Sequence, residues 1–158
     1  MMFKEKISKE ELTELPLQWF EGKIAVVDTM KQVKQVVKRL SEYRVIGFDT
    51  ETRPSFKKGR SNQVALLQLA TQNQAYLFRL NKLGLPEEIK LILSSPEIIK
   101  PGVAIRDDIK ALRELNDFNP EGFIELQDTA KEMGIQNSSL KKMAGIVLGF
   151  RISKSQQL

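Results

Sequence analysis

Apolar positions change period several times along this chain, and each change marks an element. Val33, Val36, Val37 and Leu40 recur at helical spacing, which predicts an amphipathic helix capped by Asp28 or Thr29 and running to about residue 41. Met30 falls on the same stripe and reads as core. Before this helix, residues 24–27 predict a short edge strand, and after it the apolar run 44–48 predicts a strand buried in a sheet. Residues 64–69 and 75–78 flank the turn-like Thr71-Gln72-Asn73-Gln74 and predict a hairpin. A loop with Gly84 leads into a helix over 85–93, and Ile98-Ile99 with Val103-Ala104-Ile105 predict a further buried strand reaching Ile105. Helical spacing then dominates, over 108–115, 126–134 ending at Gly134, and 138–148 ending at Gly149. A short strand is expected at 123–126. Residues 1–21 read as an irregular or helical lead-in, with Leu12, Leu15, Leu17, Trp19 and Phe20 as anchors. With no repeat, low-complexity tract or linker, the expectation is a single domain over 1–158.

The hairpin discriminates between folds. Phosphatases of the haloacid dehalogenase type also open on a strand that ends in two acids, but a helical crossover follows that strand. Here another strand comes next. Three meandering strands followed by helix, strand and helix give the order of an α/β, ribonuclease-H-like mixed sheet with flanking helices.

Asp49 and Glu51 follow directly on the 44–48 run. Residues i and i+2 of a strand point to the same side, so two carboxylates would leave the strand together and repel unless a cation sits between them. Hard oxygen ligands suit Mg²⁺ or Mn²⁺. The competing account has one acid capping a turn and the other solvated. Asp107 and Asp108 stand where the later strand meets a helix, a position where Asp also serves as a cap. What favours chemistry is placement, since functional groups of α/β sheets gather beyond the carboxyl ends of strands and both pairs fall there.

Composition narrows that chemistry by exclusion. The chain has no His and no Cys, which removes the Ser-His-Asp triad, the cysteine nucleophile and the zinc finger. Carboxylate chemistry remains. The lack of Cys excludes a disulfide framework and fits a reducing, cytoplasmic setting. No signal peptide or membrane span is expected, because Met1-Met2-Phe3-Lys4 opens a charged segment and no apolar run approaches about 18 residues. Twenty-five Lys and Arg against twenty Asp and Glu give a net charge of +5, so a moderately basic protein surrounds an acidic candidate site. That combination suits a polyanion bound around a metal. Lys57, Lys58 and Arg60 lie just after the acidic pair and could track a phosphate backbone; a solvated loop is the competing use of such a run.

At this point FDTETRPSF, SNQVALLQLAT, QAYLFRL and KPGVAIRDDIKAL, in that order, resemble the 3′-to-5′ exonuclease domain shared by ribonuclease D and the Werner-syndrome exonuclease, members of the DEDD superfamily. The likeness covers roughly residues 24–158 and is nearer the latter in RPSF and YLFRL. It implies a metal-dependent exonuclease that uses four acids, three motifs and two ions, Mg²⁺ or Mn²⁺, to hydrolyse the terminal phosphodiester of single-stranded or 3′-ended nucleic acid, DNA or RNA. Carried over, Asp49 and Glu51 match the first motif, and Asp108, six residues after Gly102, matches the second. Asp49 would bridge both ions while Glu51 and Asp108 hold the assembly. The backbone at Thr52 would approach the terminal nucleotide, and Leu66 or Leu67 could wedge against its base, with core packing as the alternative for either leucine.

The third motif of such enzymes is a Tyr or His four residues before a last Asp. Within these 158 residues the only tyrosines are Tyr43 and Tyr76, both expected at strands, so neither fills that role. Asp128 reads as a helix cap and not as a substitute. The expectation is therefore a truncated or naturally incomplete copy with impaired activity. The alternative is a non-catalytic nucleic-acid-binding module on the same fold, and a third reading is a different carboxylate-metal hydrolase.

Overall fold

The meander expected from the hairpin is present in a computed structural model, which describes residues 2–53 and 63–153. In chain order the elements are α1 (Lys9–Thr13), β1 (Lys23–Val27), α2 (Met30–Leu40), β2 (Gly47–Arg53), β3 (Gln63–Ala70), β4 (Gln74–Arg79), α3 (Leu80–Leu83), α4 (Glu87–Leu93), β5 (Lys100–Gly102), α5 (Arg106–Leu115), β6 (Phe123–Glu125), α6 (Leu126–Glu132) and α7 (Leu140–Leu148). They gather into two compact units, residues 22–124 and residues 1–21 with 125–158. Among the described residues no helix is long and apolar enough to cross a membrane.

In the unit 22–124, β2, β3 and β4 are antiparallel neighbours and β1 lies parallel to β4, giving the order β1-β4-β3-β2. This is the mixed sheet that the element order predicts. Two reversals restore the original direction, so β1, β4 and β2 all end at one edge. Cross-strand partners share a face, and the register sorts the side chains into two sets. Phe48, Leu69 and Tyr76 form one buried row, and Thr50, Leu67 and Phe78 the next. Val33, Val36 and Leu40 of α2 and Ile89, Ile92 and Leu93 of α4 belong to the same core. The opposite face carries Asp49, Gln68 and Leu77, then Glu51, Leu66 and Arg79. A slip of one residue would drive both acids into the core and expose Phe48, so burial fixes the register and the register fixes the acids.

Local chemistry explains where α2 begins. Thr29 accepts a hydrogen bond from the Gln32 N–H while the Gln32 side chain returns to the Thr29 N–H, so the Thr29 alternative of the expected cap is the one used. Met30 is not core; as the first helical residue it lies at the rim of the stripe, 40% exposed.

Two strands differ from expectation in extent. The strand expected over 44–48 is ladder-paired only from Gly47, with Val45 making an isolated bridge to Ile99. Pairing with β3 instead carries β2 through to Arg53 across a bulge at Glu51/Thr52, so the acids lie inside the strand and not beyond its end. The strand expected to reach Ile105 stops at Gly102. A Cβ on Gly102 would stand 2.7 Å from the Phe48 carbonyl and 2.5 Å from the Ile105 side chain, so glycine permits β5 to lie directly against β2. Ala104 then turns the chain with a φ of 55°, which ends strand geometry before α5. The short β6 pairs with β5.

In the other unit the lead-in is tied to the C-terminal segment. Ser8 and Glu11 form a capping box that starts α1. Ile7, Leu12 and Leu15 pack where Gly145 of α7 leaves room for them. Leu17 bridges Arg151, whose guanidinium Nε donates to the Leu15 carbonyl at 3.0 Å. Trp19 and Phe20, expected as anchors, are 55% and 42% exposed. Asp128 sits in the first turn of α6, where Glu125 occupies the cap position and no side chain caps the helix, so it is not the cap its sequence context suggests.

Candidate active site

Alternation along β2 places Asp49 and Glu51 on the open face and Thr50, 7% exposed, on the buried one. A buried hydroxyl requires a partner. Thr50 Oγ1 donates to Asp108 Oδ1, which is the contact that joins the first acidic motif to the second.

Asp108 reaches that hydroxyl because three features agree. Gly102 lets β5 approach Phe48 of β2, Ala104 turns the chain, and α5 starts at Arg106. Leu112, one helical turn beyond Asp108, is fully buried and sets the rotation of α5. Asp108 is half-buried on that inner side, while Asp107 is exposed and lines an open hollow with Arg106, Lys110 and Arg113. Capping does not account for either acid, because Ile105 occupies the cap position and no side chain caps α5. Of the two acids, Asp108 is the one that contacts β2.

Electrostatics couple the three acids. Burial pushes the Asp49 carboxyl above its ordinary value, and the negative charges of Glu51 and Asp108 push in the same direction; the Thr50 backbone N–H, donating to Asp49 Oδ1 at 2.9 Å, opposes them. Asp49 as a whole remains exposed, so solvent tempers these interactions. Among the described residues no three acidic side chains stand grouped at metal-ligand spacing. What the fold brings together is the Thr50–Asp108 contact and the like-charge coupling of Asp49, Glu51 and Asp108.

Thr52 lies just past the bulge on β2 and is exposed. Lys57, Lys58 and Arg60 fall outside the described residues. Of the two leucines weighed as a base wedge, Leu67 is fully buried in the core, whereas Leu66 pairs with Glu51 on the acidic face. Thr50 is the site residue that sequence reasoning passes over. Its only signal is a hydroxyl two residues after the inward-pointing Phe48, and the partner lies 58 residues along the chain.

Comparison with known proteins now bears on this geometry. A family model described as 3′-5′ exonuclease matches residues 24–158. A mouse protein described as the bifunctional 3′-5′ exonuclease/ATP-dependent helicase WRN is 35% identical over 125 residues, which is 76% of this chain and 9% of that protein. The chain therefore spans a small part of that relative's length. Among solved structures, ribonuclease D of Trypanosoma brucei in complex with RNA aligns with a TM-score of 0.60 and 26% identity, covering 68% of this chain and 39% of that one. The exonuclease domain of Aedes aegypti Nibbler aligns with a TM-score of 0.73 over 85% of this chain and 72% of its own, at 21% identity, a likeness of fold.

Proposed function

The chain belongs to the 3′-5′ exonuclease family, and from that premise we propose that it hydrolyses the terminal phosphodiester at the 3′ end of single-stranded or 3′-ended nucleic acid with Mg²⁺ or Mn²⁺ held by Asp49, Glu51 and Asp108. One observation carries the assignment of residues: the hydroxyl between the two acids of β2 holds Asp108 of α5, 58 residues away. The donor set fits the ions, being oxygen only, and the mutual repulsion felt by Asp49 is what a bound dication relieves. When bound, two such ions supply a water acidic enough to attack and a positive charge for the leaving 3′ oxygen. The chain's own part is to orient. Asp49 and Glu51 present their carboxylates from a strand held in register by a buried face, Asp108 is aimed by Thr50 and Leu112, and Leu66 offers an apolar surface beside Glu51 to the terminal base.

The direct test follows a 5′-labelled single strand incubated with Mg²⁺. Stepwise shortening from the 3′ end supports the reading. Retention of the strand with no metal-dependent release of mononucleotides supports the binding-module alternative instead.

Two further results are expected. Thr50→Val keeps shape and strand propensity but removes the donor to Asp108, so Mn²⁺ affinity in calorimetry should fall about 10- to 100-fold, as when a partner orienting a metal ligand is lost. Thermal stability should change little, and an unaltered titration would mean that Thr50 does not position Asp108. Replacing Lys57, Lys58 and Arg60 by Ala should flatten the salt dependence of single-strand binding by about 2 in the log–log slope. An unchanged slope would leave these three residues solvated and uninvolved.

A further inference from the structure

Resting on the nuclease reading, we propose that the outward face of α2 is a second binding surface for the nucleic-acid strand, separate from the acidic centre and blind to sequence. From Met30 to Leu40 the helix carries Lys31, Lys34, Lys38 and Arg39 and no acid, so this one helix contributes four of the chain's net five positive charges. All four cations are exposed. Lys31, Lys34 and Lys38 follow one line along the helix, spanning about 10 Å, with Arg39 on its flank. Among the described residues none of the four takes part in an ion pair. Like charges three and four residues apart cost a helix a few tenths of a kcal/mol per pair; the helix dipole favours Lys38 and Arg39 in the last turn, but among the described residues no ion pair offsets the repulsion along the line. A polyanion does.

Topology connects this face to the acids. β1 and β2 run in the same direction, so β1 ends, and α2 begins, at the sheet edge toward which β2 carries Asp49 and Glu51. At that edge Arg79 and Lys82 share the single carboxylate of Asp28, at 3.8 and 3.9 Å, leaving an excess of positive charge beside the start of α2. Arg79 also occupies the same cross-strand row as Glu51 and Leu66. Cations therefore continue from the acidic face around the edge and down the helix. The occupant is a nucleic-acid strand and not a membrane, because an interfacial helix inserts its apolar face into lipid, and Val33, Val36 and Leu40 are already committed to the core.

The test compares the full chain with the variant carrying Lys31→Ala, Lys34→Ala, Lys38→Ala and Arg39→Ala, using fluorescence anisotropy of a labelled trinucleotide and of a long labelled single strand, with Ca²⁺ replacing Mg²⁺. For the long strand the variant should bind about 10- to 100-fold more weakly, with a salt slope reduced by about 3. Trinucleotide binding should be unchanged and Tm unchanged or slightly raised as like-charge repulsion is removed, and the corresponding Lys→Arg variant should retain long-strand affinity. An unchanged long-strand slope would overturn the proposal, as would an equal loss for the trinucleotide, which would place α2's effect at the acidic centre. Loss of binding to phosphatidylserine vesicles with strand affinity intact would overturn it in favour of a membrane. If the unmodified chain binds neither oligonucleotide, the nuclease reading itself fails, an outcome distinct from a variant that matches the unmodified chain.

Discussion

Asp49→Asn is expected to lower metal-dependent release of 3′ nucleotides by about a thousandfold, equivalent to about 4 kcal/mol of transition-state stabilisation. Asn keeps the shape and one oxygen but removes the charge that a dication needs, from a residue proposed to hold the metal. The same change should hold or raise Tm, since it deletes one of three coupled negative charges, the one whose ionised form the fold disfavours through burial and through Glu51 and Asp108. Calorimetry with Mn²⁺ gives a readout independent of turnover, and binding should be lost. Asp108→Asn should behave like Asp49→Asn, whereas Asp107→Asn, at an exposed position on the outer side of α5, should keep activity within about twofold. Loss at Asp107 with retention at Asp108 would show that the wrong acid of the pair has been assigned.

These residues were legible in the sequence to different depths, and the differences have physical causes. Asp49 and Glu51 could be read as a pair because period two is a property of any strand, whatever its partners. The limits of β2 could not, since β3 extends it to Arg53 and hydrogen-bonding partners are invisible in a strand's own hydrophobicity. α2 was legible almost to the residue because its stripe and its Thr29/Gln32 cap are both local. β5 was not, for nothing about an alanine announces that Ala104 will adopt a φ of 55°. Thr50 and Asp108 meet through tertiary structure alone. Lys100 is the most misleading residue, because a lysine at a strand start reads as surface, yet this one is completely buried.

Gly122→Ala is expected to destabilise the fold by about 3 kcal/mol or more, as an overpacked site at a backbone conformation hostile to a side chain. The φ of Gly122 is +77°, and a Cβ there would stand 2.3 Å from the Ile98 carbonyl, 2.8 Å from that of Ser95 and 2.9 Å from Lys100 Nζ. Those two carbonyls are the ones Lys100 Nζ binds, at 2.5 Å for Ile98 and 2.9 Å for Ser95, while the Lys100 N–H donates to the Gly122 carbonyl at 2.7 Å. One methyl group therefore strikes every member of the cluster that starts β5. Through β5 the damage should reach Gly102, the approach to Phe48 and finally Asp108. Burial also lowers the Lys100 amine from 10.5 to about 8, against a small opposing pull from Glu121. Between about pH 8 and 10 the unfolded chain then holds a proton that the folded chain releases, so stability should rise with pH across that window. Denaturant titrations at both ends of the window should show this rise in the unmodified chain and lose it in Lys100→Met. A flat profile in the unmodified chain would mean that the buried amine is not penalised. Gly122→Ala should show a lowered midpoint at every pH, and its activity should fall because the fold opens, whereas Asp49→Asn should be inactive while fully folded.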